Sequence, residues 1–121
     1  MQTEDERDAA YLWDMLQAAY EVQQFVAAMS LEQYLRDRKS QLAVERGIEI
    51  IGEAARSVSK AFLDAHPEIP VGPIIAQRHV LAHHYGGIDH QRIFRVATVH
   101  VPELITLLTP LIPPLPPEME D

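Results

Sequence analysis

The chain contains no cysteine, which excludes a disulfide framework, a thiolate zinc site and a cysteine nucleophile, and fits a reducing cytosol. It has no apolar run near the roughly 20 residues that a membrane-spanning helix requires. Its first ten residues, MQTEDERDAA, lack the basic-then-apolar order of a secretory leader, so a cytoplasmic location is expected. Glycine is scarce, at five, and aromatics make up 7% against 47% hydrophobic residues, a balance suited to one small globular domain in 121 residues. Basic residues are few, ten against 18 acidic, for a net charge of −8. Such a chain is a poor general binder of nucleic acid, because phosphate contacts come from Lys and Arg. No segment sustains a period-two pattern, so the class is all-α.

Proline is common but unevenly spread. Five of the nine prolines lie in Pro110–Pro117, PLIPPLPP, ahead of Glu118, Glu120 and Asp121. This divides the chain into a helical domain, 1–109, and a Pro-rich acidic tail, 110–121, read as an extended terminus or as a ligand for a proline-recognition module. The negative charge is equally uneven. Residues 1–8 carry a net −3 and the tail another −3. From Arg78 to His100, by contrast, Asp89 is the sole acid among Arg78, Arg92, Arg95 and five histidines. A small, locally basic cleft is therefore compatible with the overall charge.

Helical spacing organises the rest. Leu12, Met15, Leu16, Ala19, Val22 and Val26 form one stripe of a helix over about 5–29, with Tyr11, Trp13, Tyr20 and Phe25 around it. Ser30 reads as an N-cap with Gln33 closing a capping box, starting a short helix to about Asp37. A third helix is expected over about Lys39–Leu63, with Val44, Ile48, Ile51, Ala55, Val58 and Phe62 inward. Gly47 and Gly52 are read as permitting close approach of another helix. Arg46, Glu49, Glu53 and Arg56 alternate in sign on its polar side. Three prolines and a glycine make 66–73 a loop, with Pro73 opening a fourth helix over about Ile74–His84 that Gly86 and Gly87 end. Asp89 is positioned to cap a fifth helix, His90–Leu108, with Ile93, Val96, Ala97, Leu104, Leu107 and Leu108 inward and a kink at Pro102.

The densest chemistry is Arg78-His79-Val80-Leu81-Ala82-His83-His84-Tyr85. His79 and His83 are four apart and share a helical face. Arg78 and His83 are offset by about 140° on an ideal helix, yet both can lean toward one phosphate-sized target at a helix end. Three readings fit the spacing. His at i and i+4 suits zinc, although no third ligand is evident. The same side chains can instead satisfy one another at a helix–helix contact. A third reading is catalytic, with imidazole moving the proton of an RNA 2′-hydroxyl and guanidinium holding a phosphoryl oxygen.

The chain also resembles the HepT-like branch of the HEPN superfamily. Its hallmark, an Arg-x4-His-x-Tyr string, stands here as Arg78 to Tyr85. Supporting blocks are Tyr11-Leu12, Phe25 to Ser30, Glu49-Ile50-Ile51-Gly52-Glu53-Ala54-Ala55, His66-Pro67-Glu68-Ile69-Pro70 and Gly87-Ile88-Asp89. The resemblance covers about residues 7 to 108. It implies a bundle of about five helices that forms a homodimer with a shared cleft. It implies metal-independent endoribonuclease activity needing no cofactor, with His83 activating the ribose 2′-hydroxyl and Arg78 stabilising the phosphate. The product would be a 2′,3′-cyclic phosphate or its hydrolysis product, and the substrate a tRNA or mRNA. It further implies a toxin–antitoxin pair of type VII, in which an MntA-like nucleotidyltransferase attaches AMP to Tyr85, adding bulk and negative charge beside the cleft.

Two positions depart from the family pattern: His79 follows Arg78 where Asn or another small polar residue is usual, and Val71 stands at a usual Trp. His79 and Glu53 are candidate supporting residues, although an ion pair with a neighbouring Arg explains Glu53 equally well. The alternatives are a non-catalytic nucleotide-binding module paired with a nucleotidyltransferase, favoured by His79, and a purely structural dimerisation bundle.

Overall fold

In the computed structural model, residues 3–70, 72–76 and 87–113 are described, and all their regular secondary structure is helical. The acidic N-terminus has a local purpose. Thr3 caps helix α1, Glu4–Val26, by accepting the Glu6 N–H at 3.1 Å, and Glu4, Asp5 and Glu6 occupy its first turn. Negative charge there complements the positive end of the helix dipole. The expected stripe is the core face: Leu12, Met15, Leu16, Ala19, Val22 and Val26 are all buried, while Tyr20 and Phe25 are exposed.

Helix α1 stops at Val26, short of the expected Met29, because the Met29 N–H turns back to the Val26 carbonyl and Ser30 begins a new cap. The capping box is present as read. Ser30 Oγ accepts the Gln33 N–H at 3.2 Å, and Gln33 Oε1 accepts the Ser30 N–H at 2.8 Å. Helix α2 spans Leu31–Leu35 rather than reaching Asp37, since Asp37 is the cap of helix α3, Arg38–Ser57. The Asp37 carboxylate accepts from the Ser40 N–H and hydroxyl, which hold its pKa below the usual carboxylate value. This cap is at full strength above the unfolded-state pKa and weakens as pH falls through the lowered one.

Helices α1 and α3 form the main pair of the bundle. Gly47 faces Val22 so closely that a Cβ at position 47 would overlap Val22 Cγ2. The expectation that this glycine permits close helix approach is met.

The single helix expected over Lys39–Leu63 is two. Helix α3 ends at Ser57, and α4 runs over Lys60–Ala65 from Ser59. The break is fixed from outside the segment. Asp8 of α1, itself buried, accepts the Ser59 N–H at 2.8 Å and the Ser59 hydroxyl at 2.6 Å, while Ser59 Oγ accepts the Phe62 N–H. Past α4, His66 stacks on Phe62 with ring centroids 4.4 Å apart and Ile69 is buried, which anchors the loop. A helical segment over 72–76 places Pro73 in its first turn, as expected. The remainder of the expected fourth helix and Gly86 lie outside the described residues.

Asp89 caps helix α5, His90–Arg95, accepting the Arg92 N–H at 3.1 Å. The helix expected to run to Leu108 with a kink at Pro102 is divided into α5, a π-turn over Val96–His100 and helix α6, Val101–Leu108. Pro102 has no N–H, and its ring crowds the carbonyl one turn back. The Val101 N–H reaches the Val96 carbonyl, five residues back, so the turn widens just ahead of the proline. Ile93, Ala97, Val101, Leu104 and Leu108 close the core against α1 and α3, and a 3-10 turn covers Thr109–Leu111.

Two substitutions test this packing by urea unfolding. Asp8→Ala strands the Ser59 donors and should cost about 1–3 kcal/mol. Gly47→Ala forces the α1–α3 pair apart and should cost about 1–3 kcal/mol. Wild-type stability in either variant would contradict the assignment.

Candidate functional site

Arg78, His79, His83 and Tyr85 lie outside the described residues, and so does the contact, if any, among them. The structure describes the ground on both sides of this string, from 72–76 before it and from Gly87 after it. The two flanks meet at one groove of about 480 Å³. Pro70, Pro73, Ile74 and Ala76 form one wall, Ala76 standing two residues before Arg78. Ile48 and Ile51 of α3, with Val96, Val101 and Leu104, supply an apolar floor. Arg92, Arg95 and His100 bring the polar groups, and all three are exposed. No acidic residue is among the described residues lining it.

Local chemistry explains why this side is positive. Asp89 is committed to the α5 cap. Arg92 and Arg95 lie one turn further along α5, whose helical backbone runs on through Val96, and both are exposed. Among the described residues neither arginine has a carboxylate within 4.0 Å, whereas His100 Nδ1 lies 3.6 Å from Glu103 Oε2.

Glu53 sits elsewhere. Its carboxylate lies 3.4 Å from Arg46 Nη1, with Glu49 on the same arginine at 3.7 Å, matching the alternating charges of α3. Glu53 lines a separate hollow of about 370 Å³ with Asp14, Glu21 and Ile50. Burial raises the Asp14 pKa there.

A buried polar cluster escaped the sequence reading. Glu45 is 8% exposed, with Oε2 at 3.6 Å from Arg38 Nη1 and 3.7 Å from His90 Nδ1, five residues beyond Tyr85. Those separations exceed hydrogen-bond length, so the Glu45–Arg38 attraction is Coulombic, and His90 shares in it only when protonated. Glu45 Oε2, His90 Nδ1 and the Tyr34 hydroxyl have no hydrogen-bond partner among the described residues. Burial and the charge of Glu45 push the Tyr34 pKa far up, so the phenol stays neutral and is no nucleophile. The signal was available: Gln41, Glu45 and Ile48 share one face of α3, and Gln41, also buried, donates to the Tyr34 carbonyl at 3.0 Å. With no partner for the Tyr34 hydroxyl among the described residues, Tyr34→Phe should change unfolding free energy by less than about 1 kcal/mol. A larger loss in urea titration would mean that the hydroxyl is bonded.

Comparison with known proteins places this geometry. The model of the family described as "Ribonuclease HepT-like" matches residues 15–111. A Methanocaldococcus jannaschii protein that carries an RNase name is 32% identical over 103 residues, covering 85% of each chain. A Thermococcus cleftensis protein, named "Probable ribonuclease HepT", is 35% identical over 94 residues, 78% of this chain and 86% of that one. A Caldanaerobacter subterraneus protein with an RNase name is 32% identical over 94 residues, 78% and 84% of the two chains. No solved structure matches the chain significantly. The all-α bundle and the match across four-fifths of its length agree with the resemblance carried by the Arg78–Tyr85 string: the chain belongs to the HepT-like ribonuclease family, of the HEPN toxin type.

Proposed function

We propose that this chain is the toxin ribonuclease of a HepT/MntA-type, type VII pair. The observation that carries the reading is the family match over 15–111, which contains the whole Arg78–Tyr85 string. In this reading two copies form a homodimer, and their strings share a cleft. His83 takes the proton of a ribose 2′-hydroxyl, whose oxygen attacks the adjacent phosphorus. Arg78 holds the phosphoryl oxygens as negative charge builds. The 5′-oxygen of the next nucleotide leaves with a proton, and the RNA ends in a 2′,3′-cyclic phosphate. No metal or cofactor takes part. His79 supports Arg78 at the phosphate, and Glu53 orders its helix face through Arg46. An MntA-like nucleotidyltransferase silences the toxin in the cytoplasm by placing AMP on Tyr85, whose added phosphate repels RNA.

His79, in place of the usual small polar residue, favours a second reading: a non-catalytic module that binds the nucleotidyltransferase without cutting RNA. Purified protein with RNA and a chelator separates the two. The ribonuclease reading expects cleavage that Arg78→Ala and His83→Ala each reduce at least 100-fold. Equal activity in all three proteins contradicts the mechanism, and harmless overproduction with no cleavage supports the binding module. Mass spectrometry after co-expression with the neighbouring nucleotidyltransferase should find AMP on Tyr85, and an unmodified tyrosine would remove that mode of silencing.

A further inference from the structure

We propose that the groove between α3 and the α5–α6 segment is a subsite for the RNA strand, with phosphates on Arg92 and Arg95 and a neighbouring base over the apolar floor. The proposal rests on the ribonuclease reading and adds a place for substrate outside the Arg78–Tyr85 string.

Three observations carry it. Arg92 and Arg95 are three residues apart, so they project from one side of α5, and both line the groove while remaining exposed. Neither is neutralised by a carboxylate among the described residues, and the one acid between Arg78 and His100 is engaged at a helix cap. The volume, about 480 Å³, falls in the range of small-ligand sites, and Ile51, Val96 and Leu104 offer a base face an apolar surface. Planar guanidinium groups on an exposed rim suit phosphate oxygens. The wall that ends at Ala76, two residues before Arg78, sets the groove beside the chain's entry into the family string. Glu103 stands 3.6 Å from His100, so the phosphate contacts are assigned to the two arginines. An acidic peptide would meet the same charges, but continuity with the string favours the substrate.

The test is binding of a single-stranded 2′-O-methyl RNA oligonucleotide, which lacks the attacking hydroxyl, by fluorescence anisotropy across a salt series. Each phosphate contact on single strands contributes about 0.7 to the slope of log affinity against log salt. The Arg92→Gln/Arg95→Gln double variant should bind roughly tenfold or more weakly at low salt, with a slope shallower by about 1.4, and each single variant by about 0.7. Arg92→Lys/Arg95→Lys should keep the slope, because the charge persists. Lys60→Gln, at an exposed charge outside the groove lining and paired with Asp64, should bind as wild type. Cleavage of unmodified RNA is followed on the same preparations. If wild type binds and cleaves and the Gln variants keep its slope, the groove proposal is overturned while the ribonuclease reading stands. If wild type neither binds nor cleaves, both fall. A change in sedimentation of the Gln variants with an unchanged slope would make this face a contact between copies and also overturn the subsite.

Discussion

Helix α3 can press against α1 only because position 47 has no side chain, and the bundle is built around that contact. Val22, fully buried, occupies the space a Cβ would take. A β-branched residue has little rotamer freedom with which to yield. With one face of α3 held on α1, Ile48 and Ile51 are turned toward α5 and α6 and become the floor of the groove. The Asp8–Ser59 tie locks the same pair at its other end and directs α4 out of line with α3. The helix held by this contact thus supplies the floor of the groove that the segments before and after the Arg78–Tyr85 string also line.

The charge distribution follows the same division of labour. Acids at the N-terminus serve a helix dipole, Asp37 and Asp89 serve helix starts, and Glu53 and Glu49 share Arg46. Each such carboxylate is engaged locally. Around the groove the arginines are left facing solvent without one among the described residues. A net charge of −8 is therefore compatible with a nucleic-acid enzyme, since binding answers to the local field at the site more than to the total.

What could be read from the chain tracks the range of the interaction. The Ser30–Gln33 box and the Asp89 cap were legible because donor and acceptor are three residues apart. The core stripes were legible because burial has the helical period. The break at Ser59 was not, because its cause, Asp8, is 51 residues away. Pro102 announced a discontinuity, but not its form as a π-turn whose Ala97, like Val101 after it, is buried in the core. Arg92 and Arg95 were visible as charges. Their groove was not, since it needs α3, the 70–76 segment and α5–α6 together. Catalytic candidates came from the family string, as the spacing alone left zinc, structural and catalytic readings open.

At the centre of the account is a ribonuclease that uses the substrate's own 2′-hydroxyl as nucleophile. The most direct measurement is end-group analysis of the cleaved RNA, paired with a substrate in which the nucleotide at the mapped cleavage site is 2′-deoxy. The account predicts 2′,3′-cyclic phosphate ends in the presence of chelator and no cleavage of the 2′-deoxy substrate. Cleavage of the 2′-deoxy substrate, or products ending in 3′-hydroxyl and 5′-phosphate, would contradict it.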